Sequence, residues 1–194
     1  IIPVYNDEES LLKLINKIND KYKNYENYFL IINDKSTNKF NDIRQLNNLT
    51  LLNLSKNLGS QNAIFIGLKY LKDNISDFDY AIIMDSDGED DPSGIENLIN
   101  KSLYEKNNSI IFASRGQRNE NIFYKIFYFF YKSLFKNLTG KIIDFGNFSC
   151  VPKDIALKLP DIETIPHHYS ASVIRSKVKY QTVKLNRGKR FFGR

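Results

Sequence analysis

"YAIIMDSDGEDDP", Tyr80 to Pro92, passes from an apolar run to the carboxylates of Asp85, Asp87, Glu89, Asp90 and Asp91. The apolar half is too short for a buried helix and is bounded by turn residues, so it reads as a strand buried on both faces. Ile1 to Val4, Phe29 to Ile32, Leu49 to Leu54 and Ile110 to Ala113 have the same character. Between these runs, Glu8 to Ile18, Gln61 to Leu71 and Ile95 to Tyr104 place Leu, Ile and Phe at three- and four-residue spacing. Strands alternating with helices predict an α/β fold: a mostly parallel sheet with helices on both faces, in three α/β/α layers. In such sheets ligands sit beyond the carboxyl ends of the strands. The polar clusters Tyr5 to Glu8, Asn33 to Ser36, Ser55 to Ser60 and Asp85 to Asp91 are therefore the candidate site.

A chain of 194 residues forms one domain most economically. Its 28 basic and 22 acidic residues give a formal charge of +6, which suits an anionic partner without choosing among phosphate, nucleotide, nucleic acid and acidic lipid. A single cysteine, Cys150, excludes an internal disulfide and a multi-cysteine metal site. It is expected to be a core residue in a protein of a reducing compartment. The chain opens inside a strand and reads as a fragment cut at both ends. No stretch reaches the roughly 18 apolar residues of a membrane span.

After residue 115 the rhythm changes. "NIFYKIFYFFYKSLFKNLTG" is an aromatic helix candidate with Lys125, Lys132 and Lys136 among Phe and Tyr, either a packing helix or an interfacial helix on an anionic membrane. From Asn147 the pattern reads as a strand, a short helix over Asp154 to Leu159, a His167 to Arg175 segment, a strand near Tyr180 to Leu185 and a basic tail.

Two carboxylates one residue apart at a strand end can converge on one hard cation, with substrate phosphates and water completing the shell. The same cluster also fits an acidic loop capping the following helix. A calcium loop fails, because its sixth-position glycine would fall at Asp90. "MDSDG" further matches the nucleophile motif of haloacid-dehalogenase phosphatases, but it lies on about the fourth strand rather than the first.

The surroundings separate these alternatives. "IIPVYNDEESL", "IINDKS", "NLGSQNAIFIGL" and "MDSDGEDDP" occur in the order and spacing of the family 2 glycosyltransferases of GT-A fold. The chain resembles most the dolichyl-phosphate mannose synthase and bacterial polyprenyl-phosphate glycosyltransferase branch. That resemblance implies a single catalytic domain over residues 1–194, with a nucleotide-sugar half (1–115) and an acceptor and membrane-interface half (116–194). It implies a Mg²⁺ or Mn²⁺ site at Asp85, Asp87 and Glu89, with Asp85 also near the ribose. Pro3, Tyr5, Asn6, Glu8, Asp34, Ser36, Asn57 and Gly59 would hold the nucleotide-sugar, with Ser60 capping the helix that Gly59 opens. Arg115, Arg118, Arg187 and Arg190 would meet diphosphate or acceptor phosphate. Asp87, Asp90, Asp144 and Arg115 form the implied catalytic set.

The departures from the family pattern carry information too. Asn33 replaces the first Asp of a usual pair, and an Asx turn explains that loop equally well. Asn147 stands in "GNFS" where many relatives have Gly-Asp-Phe, which removes a possible base. A hydroxyl acceptor needs a base, whereas a lipid phosphate is already an anion. Asp144, His167 and His168 are possible substitutes. "NRGKRFFGR" resembles the start of a late R-x-x-G-x-S motif through Arg190 and Gly193, or it is a solvated basic tail.

The implied activity is metal-dependent, inverting sugar transfer to a polyprenyl phosphate at the cytoplasmic membrane face. The implied partners are a UDP- or GDP-linked sugar, a lipid phosphate and a membrane surface, with no nucleic acid. A saccharide hydroxyl acceptor, a phosphatase and a non-catalytic nucleotide-binding module are the alternatives.

Overall fold

The computed structural model describes residues 1–37, 40, 42–43, 46, 48–115 and 145–192, with Arg115 described by its backbone alone. Among the described residues, seven strands and their helices follow the predicted order: β1 (Ile2–Val4), α1 (Glu8–Lys21), β2 (Phe29–Asn33), β3 (Leu49–Asn53), α2 (Ser60–Asn74) and β4 (Tyr80–Ile83). Then come α3 (Ile95–Tyr104), β5 (Ile110–Arg115), β6 (Phe145–Pro152), the short α4 (Lys153–Ala156), α5 (Tyr169–Arg175) and β7 (Tyr180–Leu185). The long aromatic helix candidate lies outside the described residues. Among the described residues, no helix is long and apolar enough to cross a membrane.

The strands form two ladders, β1-β2-β3 and β4-β6-β5-β7. Ile1 joins them: its nitrogen donates to Ile82 O (2.7 Å) and its carbonyl accepts from Met84 N (3.3 Å), a parallel pairing of β1's start with β4. The spatial order is thus β3-β2-β1-β4-β6-β5-β7. Pairing is parallel between β1 and β2, between β2 and β3 and between β5 and β7, while β6 runs antiparallel to β4 and β5. The expected sheet was largely parallel, and β6 is the exception. Apolar alternation does not reveal strand direction, since burial on two faces looks the same either way.

Reversal of β6 has a consequence for the site. Its amino end meets the carboxyl end of β5, with Phe145 opposite Ser114. Residues 145–147 therefore reach the same edge as the ends of β1, β2, β4 and β7.

Alternate residues of each central strand feed two cores. Ile31, Met84, Ile111, Phe148 and Cys150 pack with Leu11, Leu14, Ile15 and Ile18 of α1 and with Leu98 of α3. Leu30, Ile32, Ile83, Phe112 and Val151 pack on the other face with Ala63, Ile64 and Leu68 of α2 and with Tyr169 and Val173 of α5. This is the three-layer arrangement that strands apolar on both faces require. Burying each Leu or Ile contributes about 1.5–3 kcal/mol, so the helices are fixed against the sheet and the loops above it are held from below.

Candidate active site

The β1–α1 loop and the loop after β2 are tied together. Asn6, in the left-handed region at φ 52°, accepts through Oδ1 from Thr37 N (2.7 Å) and from Thr37 Oγ1 (3.1 Å). Its own N–H donates to Ser36 Oγ (2.9 Å). Ser36 N in turn donates to Asn33 Oδ1 (2.9 Å), a bond that spans three residues rather than the two of the anticipated Asx turn, and Asn33 Nδ2 donates to Asn53 Oδ1 (2.8 Å). An asparagine can both accept and donate here, which the charged Asp usual at this position cannot do. Tyr5 is left 53% exposed at the rim, where its ring is open to a planar partner. Pro3 is buried within β1, opposite Ile32, rather than on the loop that follows. Burial raises the Glu8 carboxyl above its usual range, and the neighbouring Asp42 and Glu9 add to the rise.

Asp34 has a more specific task. It is only 3% exposed, and its two oxygens accept from Leu58 N (2.7 Å) and Gly59 N (2.8 Å). A carboxylate with each oxygen on a backbone N–H clamps the Ser55–Ser60 loop to the end of β2. Gly59 supports this with φ +83°, a conformation L side chains rarely adopt. Gly59 is the N-cap of α2 and makes no side-chain cap bond, so the expected Ser60 cap is not formed: Ser60 lies one residue inside the helix. Asn57 sits exposed on the clamped loop.

The acidic loop closes on itself. Asp90 Oδ2 accepts from Asp85 N (2.9 Å), and Asp87 Oδ1 accepts from Glu89 N (3.0 Å). Asp91 caps the 3-10 turn Pro92–Gly94 through Ser93 N (2.9 Å). Tyr22, the residue that caps the carboxyl end of α1, braces the same turn by donating its hydroxyl to Pro92 O (2.7 Å).

The tail then folds over this loop. Gly188 N donates to Glu89 O and Phe191 N to Asp87 O, both at 2.9 Å. The Arg187 guanidinium pairs with the Glu89 carboxylate, and Arg190 Nε lies 3.9 Å from Asp87 Oδ2. Gly88, at φ +85°, lies under the Phe191 ring, which a Cβ there would meet at 2.5 Å. The rim thus carries carboxylates and guanidinium groups side by side.

A sequence profile of Glycosyl transferase family 2 matches residues 1–159. The chain belongs to this family. Among curated relatives, this family 2 glycosyltransferase is 25% identical to the undecaprenyl-phosphate 4-deoxy-4-formamido-L-arabinose transferase of Proteus mirabilis over 159 residues, 78% of this chain and 46% of that one. The namesake enzyme of Photorhabdus laumondii is 24% identical over the same shares. The chain spans less than half the length of the curated relatives it matches. Among solved structures, mannosyl-3-phosphoglycerate synthase from Rubrobacter xylanophilus superposes with a TM-score of 0.68 at 12% identity, over 99% of this chain and 66% of that one. Glucosyl-3-phosphoglycerate synthase from Mycobacterium tuberculosis, solved with Mn²⁺, UDP and glucosyl-3-phosphoglycerate, superposes at 0.60 and 12% identity, over 99% and 71%. The fold is GT-A, as the motif order implied.

Apart from Pro3 in β1 and Glu8 at the start of α1, the site residues named from sequence fall into three groups. Tyr5, Asn6, Ser36, Asp34, Asn57, Gly59, Asp85, Asp87, Glu89, Asp90, Arg187 and Arg190 lie on loops at one sheet edge. Arg115 ends β5 at that edge. Arg118 and Asp144, together with Gly193, lie outside the described residues. Among the described residues no three carboxylate, His or Cys side chains are gathered as a metal cage, and Glu89 faces Arg187. A Mg²⁺-type ion takes only one or two carboxylates when phosphates and water supply the other positions, and Asp85 and Asp87 are the carboxylates that could serve as such donors. His168 serves as N-cap of α5, its Nδ1 accepting from Ala171 N.

Sequence reasoning missed Gln61 and Tyr169. Gln61 Oε1 accepts from Tyr169 N (2.7 Å), and Gln61 Nε2 donates to Asn147 Oδ1 (3.2 Å), so α2, α5 and β6 meet at one side chain. The only sequence signal was its place in the first turn after Gly59.

Proposed function

We propose that this chain transfers a sugar from a UDP- or GDP-linked donor to a polyprenyl phosphate, with inversion, using Mg²⁺ or Mn²⁺. The observation that carries this reading is the acidic loop at the end of β4 with Arg187 and Arg190 folded onto it: carboxylates for a cation and guanidinium groups for phosphate at one rim. The relatives named undecaprenyl-phosphate transferases support the acceptor class. Residues 1–115 supply the donor side, and residues 116–194 the acceptor side.

Tyr5 offers a face to the base, and Asp34 holds the loop of Asn57 and Gly59 ready for ribose and phosphate. Asp85 and Asp87 would hold the divalent ion, which when bound supplies positive charge for the departing diphosphate. Asp90, tied to the Asp85 backbone, keeps the loop in shape and orients sugar hydroxyls. Arg115, Arg118, Arg187 and Arg190 receive phosphate oxygens of donor and acceptor. A phosphate oxygen of the acceptor forms the new bond to the anomeric carbon from the face opposite the nucleotide. The anomeric carbon–oxygen bond breaks, and its electron pair goes to the β-phosphate of the leaving nucleotide. No proton need be removed, so no base is required where Asn147 stands. Such an acceptor places the protein at the cytoplasmic face of a membrane, in cell-surface polysaccharide biogenesis.

The test is a thermal-shift panel of nucleotides and nucleotide-sugars with and without Mn²⁺, repeated on Asp87→Asn. The wild type is expected to be stabilised by UDP or GDP only with metal, and the variant not. Failure of both nucleotides to stabilise the wild type in metal contradicts the reading.

A further inference from the structure

The atoms of the Gln61 network identify themselves. The backbone N–H of Tyr169 can only donate, so the Gln61 atom facing it is the carbonyl oxygen. The other Gln61 atom is then the NH₂, which must donate, and the Asn147 atom it meets is Oδ1. Asn147 therefore has its NH₂ turned away from Gln61. The frame around it is hydrogen-bonded: Ser149 Oγ donates to Asn147 O (2.9 Å), Ser170 Oγ donates to Gly146 O (3.0 Å), and the buried Tyr169 hydroxyl shares a hydrogen bond with Ser149. Continuing the β4–β6 register two residues past Ile83 and Ser149 sets Asn147 across from Asp85 at the site edge.

We infer that Gln61 is a positioning residue that locks Asn147 with its NH₂ presented to the acceptor, so that the position selects an acceptor already carrying negative charge. This rests on the phosphate-acceptor reading above and adds the device that enforces it. An amide NH₂ donates to a phosphate oxygen, and it takes no proton from a hydroxyl. The lock prevents the amide from turning over and offering its oxygen instead. Nothing in the network demands asparagine, since an aspartate at this position accepts from Gln61 equally well. The neutral donor is therefore a choice that concerns the acceptor rather than the fold.

The experiment measures steady-state sugar transfer to a polyprenyl phosphate by the full chain, with donor and acceptor varied separately, for wild type, Gln61→Glu and Asn147→Asp. The carboxylate introduced by Gln61→Glu keeps the bond from Tyr169 N, but its second oxygen can only accept, so Asn147 must turn over and present Oδ1. Asn147→Asp presents a carboxylate oxygen directly. Both variants are expected to raise the acceptor KM about tenfold or more, the loss of a hydrogen bond to a charged group. Donor KM, nucleotide affinity by calorimetry and the thermal midpoint are expected to stay near wild type. An unchanged acceptor KM in both variants, or an equal rise in donor and acceptor KM, overturns the role of the lock while leaving the phosphate acceptor in place. If the wild type binds nucleotide but transfers to no polyprenyl phosphate, the acceptor reading fails and the lock's role fails with it.

Discussion

Replacing Asp34 tests whether the nucleotide side of the site is held from beneath. Its two oxygens take one backbone N–H each, from Leu58 and Gly59, at the end of a buried strand. A hydrogen bond to a charged group contributes about 1.5–3 kcal/mol, and a donor left without a partner costs a comparable amount. Asp34→Asn keeps one acceptor and turns an NH₂ toward the second N–H, so a loss of about 2 kcal/mol is expected. Asp34→Ala removes both acceptors, for about 3–4 kcal/mol, held below the full sum because water reaches Gly59. With a slope of about 2 kcal/mol per molar urea, the midpoint should fall by about 1 M for Asn and about 1.5–2 M for Ala, without a change of slope. Nucleotide affinity should weaken in the same order, since the loop of Asn57 and Gly59 loses its anchor. Variants within about 0.5 kcal/mol of wild type, or an alanine no worse than the asparagine, would refute the clamp. Unchanged stability with lost nucleotide affinity would instead make Asp34 a direct nucleotide contact.

Gly88→Ala places a methyl against the Phe191 ring at a φ of +85°, so the tail should undock and trypsin should cut at Arg187, Lys189 and Arg190 far sooner than in wild type. Arg187→Ala removes a cation from beside Glu89 and should tighten Mn²⁺ binding to the nucleotide-free chain several-fold in calorimetry; weaker Mn²⁺ binding would contradict the charge pairing described. Burial pushes the Cys150 thiol up to about 12, so iodoacetamide at about pH 8 should label it only in denaturant. The sign of its pH linkage follows: between the ordinary thiol value of 9.0 and about 12 the folded chain holds a proton the unfolded chain has lost, so stability falls as pH rises through that window. Cys150→Ala should lack that share of the alkaline slope in urea titrations at graded pH.

Much of the fold was legible because burial on both faces writes a recognisable pattern. Tyr80–Ile83 and Phe29–Asn33 are apolar throughout or nearly so, and the helices between them repeat at helical spacing. The direction of β6 was not legible, because alternating burial carries no polarity. Local chemistry misled at Ser60, where a residue suited to capping follows a glycine that already occupies the cap. The site was legible as a set of loops but not as a set of partners. Glu89 and Arg187 stand at opposite halves of the chain, and no local pattern announces that one neutralises the other. Gln61 was invisible for the same reason: its two partners come from β6 and from the start of α5. Asp34 was singled out from the sequence as a candidate, while its engagement with two backbone donors of the next loop required the fold.

We propose that this GT-A domain moves a sugar from a nucleotide to a lipid phosphate, and that product can be looked for directly. The most direct measurement incubates the full chain with UDP- and GDP-linked sugars, undecaprenyl phosphate and Mn²⁺, and looks for a lipid carrying one added sugar by mass spectrometry. A glycosyl-phosphoryl lipid is expected, and its formation should stop with chelator and with Asp87→Asn. Transfer only to saccharide hydroxyls, or product formation undiminished by chelator and by Asp87→Asn, would contradict it.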